Sequence, residues 1–235
     1  MLFFEALLPQ LPLLHVPLAP GTTPPLLVYT DASFWLQKRN RPTGAGTCRT
    51  DGGRLQRRRR LRGALGAVVY DPLTGIVRHA SALPPWDILL SSWRHDRKTY
   101  IAELEALAAI AVYSTYPAVF AGRKVNHFID NTVALSAFIN GYSGKPELAK
   151  AVNVFYLQLV GLRATAYVEC VPSKANIADL PSRLQTEEFL EEMVGLDVRP
   201  LGAPDPMVVP SVGEWSGDLE YWLDNPLGVE AKLPI

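Results

Sequence analysis

Cysteine is nearly absent: Cys48 and Cys170 are the only two in 235 residues, and they form no Cys-x-x-Cys pair. That excludes a disulfide framework and a structural thiolate zinc site, and it predicts a reducing, intracellular setting, cytoplasmic or nuclear. Histidine is also scarce, and His15, His79, His95 and His127 read as surface or packed residues. No apolar run is long enough to span a bilayer, so no membrane role is expected. The opening nine residues are apolar but lack a basic start and are broken by Glu5 and Pro9, with Pro12 close behind, which speaks against a signal peptide. Net charge is absent too, with 23 Lys and Arg against 23 Asp and Glu. The zero hides an asymmetry. Between Lys38 and Arg62 the charges are basic except for Asp51, whereas beyond Glu187 they are acidic except for Arg199 and Lys232.

What is present is apolar content of 48%, enough for one domain with a full core. The organising stretch is Pro25-Leu26-Leu27-Val28-Tyr29-Thr30-Asp31-Ala32-Ser33, a β-prone run that ends in an aspartate. A carboxylate at the tip of a buried strand must be paired or used. Asp130 closes a second apolar run, Glu103 and Glu105 open a helical pattern, and Asp179 sits at a late polar-to-helical junction. Convergence of these acids is a metal-site hypothesis. Glu103 and Glu105 flank the apolar helix face at similar angles on opposite sides, so helical phase alone does not choose between them.

The chain order predicts a connector over residues 1–24, a domain over 25–184 with a basic insertion loop at 36–62, and an acidic, Pro-rich, poorly ordered tail over 185–235. The basic loop reads equally as a nucleic-acid arm or as a solvated insertion. Trp215 to Leu223, aromatics mixed with acids, reads as part of a weakly ordered terminus. Strands are predicted at 26–33, 64–70, 75–82, 124–130 and 165–171. Helices are predicted at Thr99 to Tyr113 with Thr99 as N-cap, at Thr132 to Asn140 ended by Gly141, after the Ser143 to Pro146 turn to about Val160 closed by Gly161, over Ala175 to Leu184 and over Glu187 to Met193. The fold class is therefore α/β, a five-stranded mixed sheet flanked by helices.

Tyr29-Thr30-Asp31-Ala32-Ser33, Ala102-Glu103-Leu104-Glu105-Ala106-Leu107, Ile129-Asp130-Asn131-Thr132-Val133-Ala134 and the run Val171 to Arg183, with Asn176-Ile177-Ala178-Asp179-Leu180-Pro181-Ser182-Arg183, resemble the four motifs of type 1 ribonuclease H. They are most similar to the version fused to reverse transcriptases of tyrosine-recombinase retrotransposons. The resemblance covers about residues 26–184. It implies a ribonuclease H-like fold and a metal-dependent endonuclease that cuts the RNA strand of RNA/DNA hybrids. It also favours Glu103 over Glu105, since the family uses the Ala-Glu-Leu glutamate.

The implied catalytic and metal-ligating set is Asp31, Glu103, Asp130 and Asp179, holding two Mg²⁺ ions that Mn²⁺ can replace. Oxygen-only ligands suit such hard cations. Ser33, Asn131 and Asn176 are candidate contacts to the hybrid, and each is also a plausible cap or turn residue. The family's histidine before the last aspartate and its basic helical handle are both missing. No Tyr-x-Asp-Asp motif precedes the domain, so the chain reads as a polyprotein fragment or a stand-alone copy, with an upstream reverse transcriptase domain as a possible partner. The competing readings are an inactive ribonuclease H-like module that binds nucleic acid, or another nuclease of this fold such as a transposase, resolvase or exonuclease.

Overall fold

A computed structural model of the protein describes residues 23–37, 60–85, 99–195 and 202–210. The N-terminal connector up to residue 22, the basic stretch 38–59, the Trp86 to His95 loop and the Trp215 to Leu223 segment lie outside the described residues. β1 (Leu26–Gln37), β2 (Arg60–Asp71) and β3 (Ile76–Ala82) form an antiparallel meander. Then come α1 (Ile101–Thr115), the short α2 (Pro117–Phe120), β4 (Lys124–Ile129), α3 (Thr132–Asn140), α4 (Pro146–Gly161) and β5 (Thr165–Cys170). A 3₁₀ turn (Ser173–Ala175) leads to α5 (Asp179–Ser182), α6 (Thr186–Gly195) and β6 (Asp205–Pro206). The sheet order is β5-β4-β1-β2-β3-β6, with β4 parallel to both β1 and β5. This is the expected mixed sheet flanked by helices, with one strand more than predicted.

Alternation along β1 buries Leu26, Val28, Thr30 and Ala32. Against them lies α1, in which every residue from Ala102 to Ser114 is buried. A helix apolar all round is a core helix, and its five alanines let sheet and α4 approach from different sides. Around Tyr113 the rings of Phe120, Phe155 and Phe138 follow one another in tilted and edge-to-face contacts at centroid distances of 4.4, 5.5 and 4.6 Å. Such pairs add about 1 kcal/mol each beyond their burial.

Local signals set the helix ends where the sequence marks them. Asn131 caps α3, its side-chain oxygen accepting from the amides of Val133 and Ala134 at 3.1 Å, and Gly141 ends it at φ 72°. The expected Thr99 cap is displaced by one residue: the N-cap of α1 is Tyr100, which makes no side-chain cap bond, and Thr99 Oγ1 accepts from the Ile101 amide at 3.2 Å just ahead of the helix.

Three expectations need correction. The β1–β2 hairpin runs further than predicted, pairing Gln37 with Arg60, so charged residues assigned to a loop belong to strands. The predicted helix 175–184 is a 3₁₀ turn followed by a four-residue helix. The domain does not end at 184. Phe189 and Met193 of α6 are buried on the sheet, Phe189 against the His79 ring at 4.8 Å. Beyond it, β6 pairs with β3, and Asp205 accepts a 2.8 Å hydrogen bond from Tyr116. The packed unit extends to Pro210, buried like Met207. The helix itself matches the one expected over Glu187 to Met193; its docking on the sheet and β6 are not marked by any periodic apolar run.

Candidate metal centre

β1 and β4 run parallel, and their pairing stops at Thr30 opposite Ile129. Asp31 and Asp130 are the next residues on each chain, so the end of the pairing places two carboxylates side by side. α1 adds a third. Asp31, Glu105 and Asp130 each offer an oxygen within 4.8 Å of the others, Asp31 and Glu105 buried and Asp130 half-buried. The three open into a cleft of about 310 Å³ that is also lined by Ser33, Asn131, Ser173, Asp179 and Arg183.

The helix thus contributes Glu105, where the resemblance favoured Glu103. Glu103 is buried on α1 but lines no part of the cleft. Two positions along a helix differ by about 200°, so one glutamate facing Asp31 turns the other away. Because α1 is covered on all sides, no polar face fixed that phase in the sequence, and both acids could be buried. The signal that finds Glu105 is the level of Asp31 along the helix, which only tertiary packing supplies. Asp179 lines the same cleft from α5, where its Oδ1 accepts from Arg183 Nε at 2.9 Å.

Burial dominates the electrostatics. Glu105 is held well above the ordinary carboxyl range by desolvation first, then by the charges of Asp31 and Asp130 and a hydrogen bond to Asp31. Asp31 is also raised, again chiefly by desolvation, with the charges of Asp130 and Asp179 adding and hydrogen bonds from Ser182 and Glu105 opposing. The opposite end of the sheet gives the contrast. There Asp71 is lowered, first by its hydrogen bonds from Arg123, one of 2.9 Å. Among the described residues, no such cation bears on the buried pair Asp31 and Glu105, and Glu105 Oε2 is buried with no hydrogen-bond partner. An unmatched carboxylate oxygen inside a carboxylate cluster fits a cation.

The polar candidates divide. Ser33 lines the cleft, but its hydroxyl donates to the Ser182 carbonyl at 2.6 Å and accepts from the Ala64 amide at 3.0 Å. Asn176 is buried and spent internally, donating to the Thr30 carbonyl at 3.0 Å and accepting from the Ala178 amide at 3.2 Å. Asn131 lines the cleft with its oxygen committed to the α3 cap, which leaves its NH₂ group to offer. Ser182, part of the closing motif but given no role of its own, donates to Asp31 Oδ2 at 2.5 Å. Its place three residues after Asp179, one helical turn on, was the available signal.

Among the described residues, no helix is long and apolar enough to cross a membrane. No protein-family model matches the chain, and no curated protein matches it. Among solved structures it is similar to RNase H1 from the halophilic archaeon Halobacterium salinarum NRC-1, with a TM-score of 0.43 and 14% identity over 71% of this chain and 98% of that one. It is also similar to the N-terminal RNase H domain of rv2228c from Mycobacterium tuberculosis, solved as a fusion with maltose-binding protein, with a TM-score of 0.39 and 13% identity over 71% of this chain and 96% of that one.

Proposed function

We propose that the protein is a metal-dependent endonuclease of the ribonuclease H type that hydrolyses the RNA strand of RNA/DNA hybrids. The observation that carries this reading is the unmatched Glu105 Oε2 inside a three-carboxylate cluster at the end of β1 and β4. Oxygen ligands alone suit Mg²⁺ or Mn²⁺ and disfavour zinc or copper. Asp31, Glu105 and Asp130 would hold the metal, with Asp179 joining from the cleft wall. Divalent ions bound there would supply activation of a water and charge stabilisation at the leaving oxygen of a phosphodiester.

The chain's own residues supply the rest. Asp31 and Glu105 exclude bulk water by burial and must give up shared protons for metal to enter. Asn131 offers its NH₂ group to a 2′-hydroxyl of the RNA strand, the group that distinguishes RNA from DNA. Glu103 has a structural role in α1. A retroelement origin, and with it an upstream reverse transcriptase partner, rests on the four sequence motifs alone.

Cleavage of a strand-labelled RNA/DNA hybrid with Mg²⁺, Mn²⁺ or chelator tests the reading, run beside Asp130→Asn, Glu105→Gln and Glu103→Gln. Metal-dependent cutting of the RNA strand alone is expected. Asp130→Asn and Glu105→Gln are expected to remove several kcal/mol of transition-state stabilisation, on the order of 10³-fold or more in rate, and Glu103→Gln to keep most of it. Cutting that survives Glu105→Gln but not Glu103→Gln would overturn the assignment of the ligand set. A folded protein that binds hybrid without cutting it in either metal would leave the nucleic-acid-binding module in its place.

A further inference from the structure

α5 is a single helical turn, yet it is anchored to three strands at once. The Ser81 hydroxyl on β3 donates to the Pro181 carbonyl at 2.9 Å, and the Ser33 hydroxyl on β1 donates to the Ser182 carbonyl at 2.6 Å. On β2, Gly66 lies so close that a Cβ there would clash with the backbone of Pro181 and Ser182. Every one of these ties is made through the backbone of α5. Docking of the turn therefore does not require the Ser182 side chain.

That side chain, fully buried, is spent elsewhere. Its hydroxyl lies 2.5 Å from Asp31 Oδ2 and 2.8 Å from the Asp179 carbonyl. A hydroxyl has one proton to give, and a carboxylate oxygen takes it in preference to a neutral carbonyl. The bond fixes Oδ2 and with it the rotation of the carboxylate plane. It thereby sets the direction in which Asp31 presents its other oxygen to Glu105 and Asp130.

We propose that Ser182 is a positioning residue for the metal centre: it orients Asp31 from α5, the same turn that delivers Asp179 to the cleft. This rests on the metal-binding reading given above. The first and last acids of the site become one unit, since a shift of α5 moves Asp179 directly and Asp31 through the Ser182 hydroxyl. Groups that orient a ligand in this way typically contribute 10–100-fold to metal affinity.

The test is Mn²⁺ binding by calorimetry to the full chain, with no nucleic acid present, for the wild type, Ser182→Ala, Ser182→Cys and Ser81→Ala. Ser81→Ala removes a tie of α5 that does not reach a carboxylate, so it reports what looser docking alone does. Expected are a loss of roughly tenfold in Mn²⁺ affinity for Ser182→Ala, an intermediate loss for Ser182→Cys, whose thiol keeps the volume but donates weakly, and wild-type affinity for Ser81→Ala. The Cys variant carries the comparison should the Ala variant not fold. Wild-type affinity in both Ser182 variants, or an equal loss in Ser81→Ala, would overturn the positioning role while leaving the metal centre standing. A wild type that takes up no Mn²⁺ would overturn the metal centre, and the positioning role with it.

Discussion

His127 and Glu105 are both buried titratable side chains at the contact between α1 and β1, one residue apart in what they touch on the strand. His127 meets Thr30 at 2.9 Å through Nε2 and Tyr113 of α1 at 3.2 Å through Nδ1, so both ring nitrogens are matched. Glu105 meets Asp31 and keeps Oε2 unmatched. Both sites are desolvated, and burial pushes each group toward its neutral form, His127 down to about 3 and Glu105 well up. The imidazole is closed off by protein partners and belongs to the core. The carboxylate is closed on one side only and lines a cleft. Burial and a perturbed pKa alone do not mark a functional group; the unmatched atom does.

The comparison is sharpened most by metal. Without it, the raised pKa of Glu105 stabilises the fold only at low pH: the contribution is full below the ordinary carboxyl range and is lost as pH rises through the raised value. Metal reverses this at neutral pH. At a concentration 100-fold above its Kd, a ligand that binds only the folded state adds about 2.7 kcal/mol, or roughly 5–10 °C in Tm for a domain of this size. Thermal melts at pH 8 with Mn²⁺ or chelator are expected to show that gain for the wild type, for Glu103→Gln and for His127→Gln. Glu105→Gln is expected to melt higher than wild type in chelator and to lose most of the gain. An undiminished Mn²⁺ gain in Glu105→Gln would break the distinction between the two sites.

A second way to separate them leaves both groups in place. Gly66→Ala puts a Cβ against the backbone of Pro181 and Ser182, where no side-chain rotation relieves it. Overpacking of this kind costs about 1–3 kcal/mol. The strain falls on α5, so the carboxylate site is expected to bind Mn²⁺ more weakly. The Thr30–His127–Tyr113 contacts lie outside that turn, and ¹H–¹⁵N spectra of the imidazole are expected to stay unchanged. Movement of the His127 resonances with wild-type Mn²⁺ binding would be the opposite result.

Much of this was legible because it is local. Leu26 to Ser33 announces a strand that carries an acid, though the strand runs on to Gln37, and Asn131 and Gly141 bracket a helix by their own side-chain and backbone chemistry. Asp31 and Asp130 could be paired in advance, since each closes an apolar run. Glu105 could not be told from Glu103, because the phase of a helix buried on every side is set by what packs around it rather than by its own pattern. The helix over Glu187 to Met193 was legible, but its docking and the pairing of β6 were not, for a related reason. The anchors Phe189, Asp205 and Met207 are sparse, and their partners His79, Tyr116 and Ser81 lie far back in the chain.

The smallest effect tests the closed side of the comparison. Below the ordinary imidazole pKa of about 6.5 the unfolded chain takes up a proton that the folded one refuses until about pH 3. The contribution of His127 to stability is therefore present above pH 6.5 and lost as pH falls toward 3, with a limiting slope of about 1.4 kcal/mol per pH unit. Asp31 and Glu105, both raised, act with the opposite sign over the carboxyl range, so the acid limb of the whole protein is shallower than His127 alone would make it. The difference between wild type and His127→Gln isolates the imidazole. In urea unfolding with chelator, the variant is expected to be less stable at pH 8, where Thr30 and Tyr113 lose their matched partner, and to close that gap as pH falls from 7 to 5. A gap that stays constant over that range would mean that the imidazole takes up its proton as readily folded as unfolded, and that His127 is not the closed site its two hydrogen bonds describe.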